Sequence, residues 1–385
     1  MNHSGTYSFA MTRWCVLGLL LVKISAGMIA AEASPADTQT VLKQICQKSD
    51  FPGLAVIVAK HGKVCEAAAV GVRKSGDPGP LTTNDVFHIG SCTKSMTATL
   101  AAMLVEQGKL RWNSTISEAF PELKGRMDEQ YEKVTLQQLL TQRGGVPGQP
   151  PEAAWKRAWE ERGTPQQQRY EFIQAVLREP PEAAPGTRYI YSNQGYAIAG
   201  AMLEKVAGIA WEQLITERLF KPLHMNSAGF GPPGTKGKVD QPWGHTRQDG
   251  ALVALQEDNP PAIAPAGRVH CSLYDLAKYA EFHMEGERRG GLLRPDTFRK
   301  LHTPVSGNHD ETKYAFGWIC VKRAWAGGSA IMHNGSNTMW YVVMWLAPKK
   351  DFAVIVATNT GVGDTFQGCD EVATQMIKKW GTRGP

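Results

Sequence analysis

This chain of 385 residues lacks most of the short patterns that assign an enzyme at a glance. No G-x-S-x-G occurs, which excludes the strained strand-to-helix elbow that presents a serine in one large hydrolase architecture. H-E-x-x-H and paired Cys/His spacings are missing as well, so neither a metal nor a cofactor is expected. The stretch 231–238 is rich in glycine and lysine, yet Lys236 stands where a phosphate loop needs its second glycine, and the segment reads as surface loop. Seven cysteines are too few for a disulfide scaffold in a chain this long. The net charge of +6 is scattered rather than clustered, which argues against a nucleic-acid surface. The apolar run Trp14–Val22 is too short for a comfortable membrane span and Lys23 interrupts its extension, so no stable span is expected.

That same run has another reading. Arg13 precedes it, and small residues lead on to Ala31-Glu32-Ala33, the order of a basic region, an apolar region and a cleavage site. Residues 1–33 are read as a signal peptide, and the mature protein is expected in the periplasm or secreted. The chain beyond residue 33 exceeds one typical core, so one two-lobed domain or two domains are expected. Of the six cysteines after residue 33, Cys46 and Cys65 lie on a helix and a neighbouring hairpin, and spacing leaves their pairing open.

What is present is a serine and a lysine one helical turn apart. In Ser91-Cys92-Thr93-Lys94, the residues before Ser91 read as extended and those after it as a mostly apolar helix. Ser91 therefore sits near a helix N-terminus, where free N–H groups favour developing negative charge. Residues three apart share a helix face, so the Lys94 amine can reach the Ser91 oxygen, the layout of an activated nucleophile. No other serine in the chain has lysine three positions on. Cys92 has no histidine at suitable spacing and reads as a buried thiol. Tyr191-Ser192-Asn193 is the only Y-x-N; it comes after the turn signal Ala184–Thr187 and precedes an apolar helix. Beside an ammonium the Tyr191 phenolate becomes more accessible, and it can then take the serine proton. His333-Asn334-Gly335 closes a strand-like run, and a glycine there marks close approach of a backbone or ligand.

Elsewhere, 41–46 reads as a helix, and 53–59 and 64–70 read as strands around a Lys60–Lys63 turn. From Ser91 to about Met284 the patterns are mainly helical. Strands return at 317–321, 330–332, 339–346 and 352–357, before a closing helix at 366–380. The fold class is α/β of the α+β type: an antiparallel sheet built from both chain ends with flanking helices, plus a mainly helical lobe. The sheet lobe is expected over 34–90 and 305–385 and the helical lobe over 91–304, with the site in the cleft between them.

The order S-x-x-K, Y-x-N, H-x-G resembles the serine β-lactamase and penicillin-binding superfamily, in its class C-like branch of β-lactamases, D,D-carboxypeptidases, D-aminopeptidases and esterases. The likeness extends through Pro185–Tyr196, through Leu219–Met225, and through Leu139–Pro147, which is similar to L-L-T-H-T-S-G-L-P with Gln, Arg and Gly substituted inside it. The resemblance implies a serine β-lactamase-like fold with Ser91 as nucleophile, Lys94 and Tyr191 as the proton-transfer pair, and Asn193 bonding Lys94 and the substrate amide. It implies an oxyanion hole from the Ser91 and Ser336 N–H groups, with His333 and Gly335 beside the substrate. Which of Lys94 and Tyr191 is the acylation base stays open. The implied function is cleavage of a small-molecule or peptide amide or ester, cell-wall peptide among the candidates. The ranking runs from D,D-carboxypeptidase to esterase to β-lactamase, with a non-turnover penicillin-binding sensor as the non-enzymatic rival. Two departures matter: the third motif carries His where class C lactamases carry Lys, and the E-x-x-L-N element of class A enzymes is absent.

Overall fold

The computed structural model describes residues 37–305 and 313–381. The expected signal peptide lies outside them. The first helix, Thr38–Ser49, leads to a hairpin of β1 (Gly53–Lys60) and β2 (Lys63–Gly71). Its two-residue turn holds His61 at φ 50° and Gly62 at φ 71°, the pair of left-handed residues that matches strand twist. β3 (Val86–His88) then delivers the chain to a 3-10 turn at Gly90–Cys92 and the helix Thr93–Glu106. Every residue of that helix from Thr93 to Leu104 is buried, so it is a core helix with no wet face.

The long middle region is mainly helical, as the sequence patterns have it, with short strands among the helices. These are β4 (Gly229–Phe230), β5 (Gly244–Gln248), β6 (Ala251–Leu255) and β7 (Val269–Ser272). The strands β3, β7 and β4 form a small antiparallel sheet, and β5 pairs with β6. Elements of two to four residues are too short to print a period-2 pattern. The β5–β6 hairpin turns through Asp249 and Gly250, both at positive φ, and that Asp-Gly signal is readable in the sequence.

The chain ends with β8 (Ile319–Arg323), β9 (Gly328–Ser336), β10 (Tyr341–Ala347) and β11 (Phe352–Thr358), then the helix Thr365–Met376. The strands from both ends join in one antiparallel sheet of order β2-β1-β11-β10-β9-β8. All residues of β10 and β11 are buried, because helices cover both faces. Register divides the sheet cleanly. Val56, Val356 and Val343 lie in one row and pack with Leu42 and Val372 of the terminal helices. Ile57, Ile355 and Met344 lie on the opposite face, in the core that holds the helix Leu273–Arg289 and the helix after Ser91. His333 opposes Met344 and so belongs to this second face.

The six described cysteines are all unpaired; Cys46 is buried and Cys65 exposed, so the candidate pairing is not formed. No described helix is long and apolar enough to cross a membrane.

Candidate active site

Gly90 explains how the Ser91 turn is built. It sits at φ 49°, and a Cβ there would collide with the backbone of Gly335 and Ser336. A Cβ on Gly335 would in turn strike the Ile89 carbonyl and the Ser91 amide. Two glycines thus let the Ser91 turn and the end of β9 meet backbone to backbone, and the Ser91 and Ser336 amides lie on these facing segments.

Lys94 begins the core helix and its side chain is fully buried. Its Nζ is 3.0 Å from Ser91 Oγ, 2.7 Å from Asn193 Oδ1 and 2.8 Å from the Ala266 carbonyl. Three acceptors match the three donors of an ammonium. Tyr191 OH is 2.6 Å from Ser91 Oγ on the other side, and Nζ lies 4.7 Å from the Tyr191 ring centre. Tyr191 is held by its neighbours. Ser192 caps the helix Asn193–Ala207 through Gly195 N–H, and its own amide donates to Gln142 Oε1 at 2.9 Å. Gln142, one of the substituted positions in the Leu139–Pro147 segment, also accepts from Ile190 N–H at 2.8 Å through its carbonyl. The Tyr191 loop is therefore pinned on both flanks.

A sequence model of the β-lactamase family matches residues 38–374. The chain belongs to the β-lactamase family. Among its relatives, the protein flp of Staphylococcus aureus is 24% identical over 345 residues, covering 89% of this chain and 67% of that protein. Penicillin-binding protein 4 of Amycolatopsis lactamdurans is 26% identical over 325 residues, with 82% of each chain covered. The octameric penicillin-binding protein homologue from Pyrococcus abyssi superposes with a TM-score of 0.72 at 26% identity, covering 88% of this chain and 76% of that one. Membership makes this chain a serine hydrolase.

In this β-lactamase-family enzyme, His333 is buried and uncharged. Its Nδ1 is 2.6 Å from the Asn334 carbonyl and its Nε2 is 3.2 Å from Tyr314 OH. Burial, reinforced by the charge of Lys94, lowers its pKa to about 3. The carbonyl places the ring proton on Nδ1, which leaves Nε2 to accept from Tyr314. Burial likewise pushes the Tyr314 phenol well above its usual range, so it remains a donor. Cys92, beside Ser91, is fully buried and its thiol is pushed up to about 12 by burial, which leaves it inert.

Two participants carry no mark in the sequence. Ala266 contributes only a backbone carbonyl, which no side-chain motif signals. Tyr314 sits in a segment without any pattern and reaches the site by packing, its ring 5.5 Å from that of Tyr189. Among the described residues no cluster of His, Cys, Asp or Glu is arranged to hold a metal.

Proposed function

We propose that this protein is an exported serine hydrolase that cleaves an amide or ester through an acyl-enzyme at Ser91, most like a D,D-carboxypeptidase. The observation that carries the reading is the convergence of Lys94 Nζ and Tyr191 OH on one serine oxygen. Ser91 Oγ attacks the acyl carbon as its proton passes to the Lys94–Tyr191 pair. The oxyanion that forms is held by the Ser91 and Ser336 N–H groups, an arrangement worth several kcal/mol of barrier. Collapse returns the proton to the leaving amine or alcohol. Without a class A glutamate, water must deacylate the enzyme by the same Tyr191–Lys94 route. Asn193 holds Lys94 and is placed to meet the substrate amide.

A second reading, esterase, is favoured by the neutral His333. A lysine at this position would offer a permanent cation to a substrate carboxylate, and an uncharged imidazole offers only hydrogen bonds. Both readings place the enzyme in the periplasm or outside the cell, which fractionation of the full-length protein tests.

The deciding experiment tracks the intact mass of the protein with benzylpenicillin, with Ser91→Ala as control. A lasting mass gain absent from Ser91→Ala supports the carboxypeptidase reading. Consumed drug with no lasting gain indicates a β-lactamase instead. Turnover of esters with the drug untouched supports the esterase, and labelling without turnover of any substrate points to a sensor. Labelling that survives Ser91→Ala rejects the nucleophile.

A further inference from the structure

Behind the site lies a buried polar cluster that takes no part in the acyl-transfer steps. Asp258 comes shortly after β6, and its carboxylate is almost wholly inaccessible. His88 Nε2 sits 2.7 Å from Asp258 Oδ1. The other ring nitrogen, Nδ1, accepts from Gly90 N–H at 3.1 Å, which assigns the ring proton to the side facing the carboxylate. Oδ1 also accepts from Asn337 Nδ2 at 3.2 Å and from Asn259 N–H at 2.6 Å, while Arg268 Nε lies 3.5 Å from Oδ2. Asn337 Oδ1 in turn accepts from the amides of Met339 and Trp340, both at 3.2 Å, fixing the turn after β9. The next residue, Asn259, donates from Nδ2 to the Gly267 carbonyl at 2.9 Å.

These contacts have three destinations. Through His88 they reach Gly90, the residue before Ser91. Through Asn337 they reach the residue after Ser336. Through Gly267 they reach the residue after Ala266, whose carbonyl receives Lys94. The two amides and the carbonyl that seats Lys94 lie on three separate chain segments, and Asp258-Asn259 contacts a neighbour on each of them. We propose that this dipeptide is a positioning element that sets the spacing of the two oxyanion donors and the seat of Lys94; the inference rests on the acyl-enzyme reading. A buried carboxylate with two N–H donors on Oδ1 and no hydrogen bond to Oδ2 carries a desolvation cost that stability alone does not require, since apolar replacements of buried ionic clusters are often neutral or better. Oxyanion donors act only where they meet the developing charge, so a displacement of tenths of an ångström weakens them in the transition state more than in the ground state.

The test measures single-turnover acylation by p-nitrophenyl acetate, the carbonyl stretch of the acyl-enzyme in the infrared, and the melting temperature. In Asp258→Ala the acylation rate constant should fall roughly 10²–10³-fold, as when one oxyanion donor is lost, with the probe's apparent Kd changed less than threefold. The acyl carbonyl should move to higher wavenumber as its polarising donors drift apart. Asp258→Asn keeps an acceptor for Asn337 and for the Asn259 amide and should recover to within about tenfold of wild type. Asn259→Ala should slow acylation and shift the acid limb of its pH profile, because it loosens the seat of Lys94. Val372→Ala, in the core on the far face of the sheet, controls for general destabilisation and should leave rate and carbonyl band unchanged. Should Asp258→Ala not fold, Asp258→Asn and Asn259→Ala still carry the test through the band position and the pH profile. The inference is overturned if the Asp258 and Asn259 variants acylate within threefold of wild type with an unmoved carbonyl band. It is also overturned if their losses match that of Val372→Ala at equal melting temperature. A wild-type protein that no ester, fluorophosphonate or penicillin acylates at Ser91 would instead overturn the underlying reading, and the inference with it.

Discussion

Replacing Tyr191 by Phe removes one oxygen, 2.6 Å from Ser91 Oγ, and little else. The ring stays, and so do its 4.7 Å contact with Lys94 and the Ser192 cap that fixes the loop. The stability cost is therefore that of one partly buried hydrogen bond, about 1 kcal/mol. The kinetic cost is much larger. A positioned proton-transfer group contributes about 10²–10⁴ in rate, or roughly 3–5 kcal/mol of barrier. Lys94→Met should slow acylation at least as much, because it removes the ammonium shared by Ser91, Asn193 and Ala266. If the two groups form one relay, the double variant should be hardly slower than the worse single one, since groups that act as a unit are strongly non-additive. The assay is single-turnover acylation by an activated ester, with thermal melts to show that both variants fold. A Tyr191→Phe rate within tenfold of wild type, or single effects that multiply in the double variant, would refute the shared relay.

Three other expectations concern charge, the first two at buried groups. Arg169 is fully buried and pairs with Glu204 at 2.5 Å and Glu212 at 2.6 Å, so Arg169→Met should strand Glu204 and cost about 3–5 kcal/mol in denaturant unfolding. A loss under about 1 kcal/mol would show that the pair relaxes into solvent. His333 has a folded pKa of about 3 against 6.5 when unfolded, so the unfolded chain binds its proton first as pH falls. Its contribution to stability should be complete above pH 6.5 and decline by about 1.4 kcal/mol per unit down to about pH 3, a slope absent from His333→Gln in paired denaturation curves. Parallel curves for the two proteins would mean that the imidazole charges in place. Under the esterase reading, matched substrates with and without a free carboxylate beside the scissile bond should differ less than about tenfold in kcat/KM. A hundredfold preference for the free acid would return the reading to a carboxypeptidase.

The sequence is most legible where periodicity runs long or where chemistry needs side chains. The runs that form β10 and β11 are continuous because both sheet faces are covered, and Ser91 and Lys94 are one turn apart where a 3-10 turn enters a helix that is buried all round. The glycine of His333-Asn334-Gly335 signals close backbone approach, and the structure puts Gly335 against the Ile89 carbonyl. The short strands β4 and β7 stay hidden because they owe their pairing to tertiary placement and not to pattern, whereas β3 reads as extended before Ser91. The Asp249-Gly250 turn is a local signal masked by its flanking strands, which are only partly buried and alternate weakly. Backbone acceptors such as Ala266 leave no trace in residue types, and Asp258 looks like any loop acid until three segments converge on it.

His333 and Lys94 are best understood together. The charge of Lys94 is one of the causes that hold His333 neutral, so a buried ammonium already occupies the electrostatic capacity of this pocket. A second permanent cation at position 333 would face the same repulsion and the same desolvation with no carboxylate partner until substrate arrived. The arrangement present here avoids that conflict by giving the imidazole a local hydrogen-bond closure, Nδ1 to its neighbour's carbonyl and Nε2 to Tyr314. One cation then remains beside Ser91, hydrogen-bonded to its Oγ. Recognition in the acyl-enzyme reading is left to hydrogen bonds from Asn193 and the β9 edge, which discriminate by geometry more than by charge.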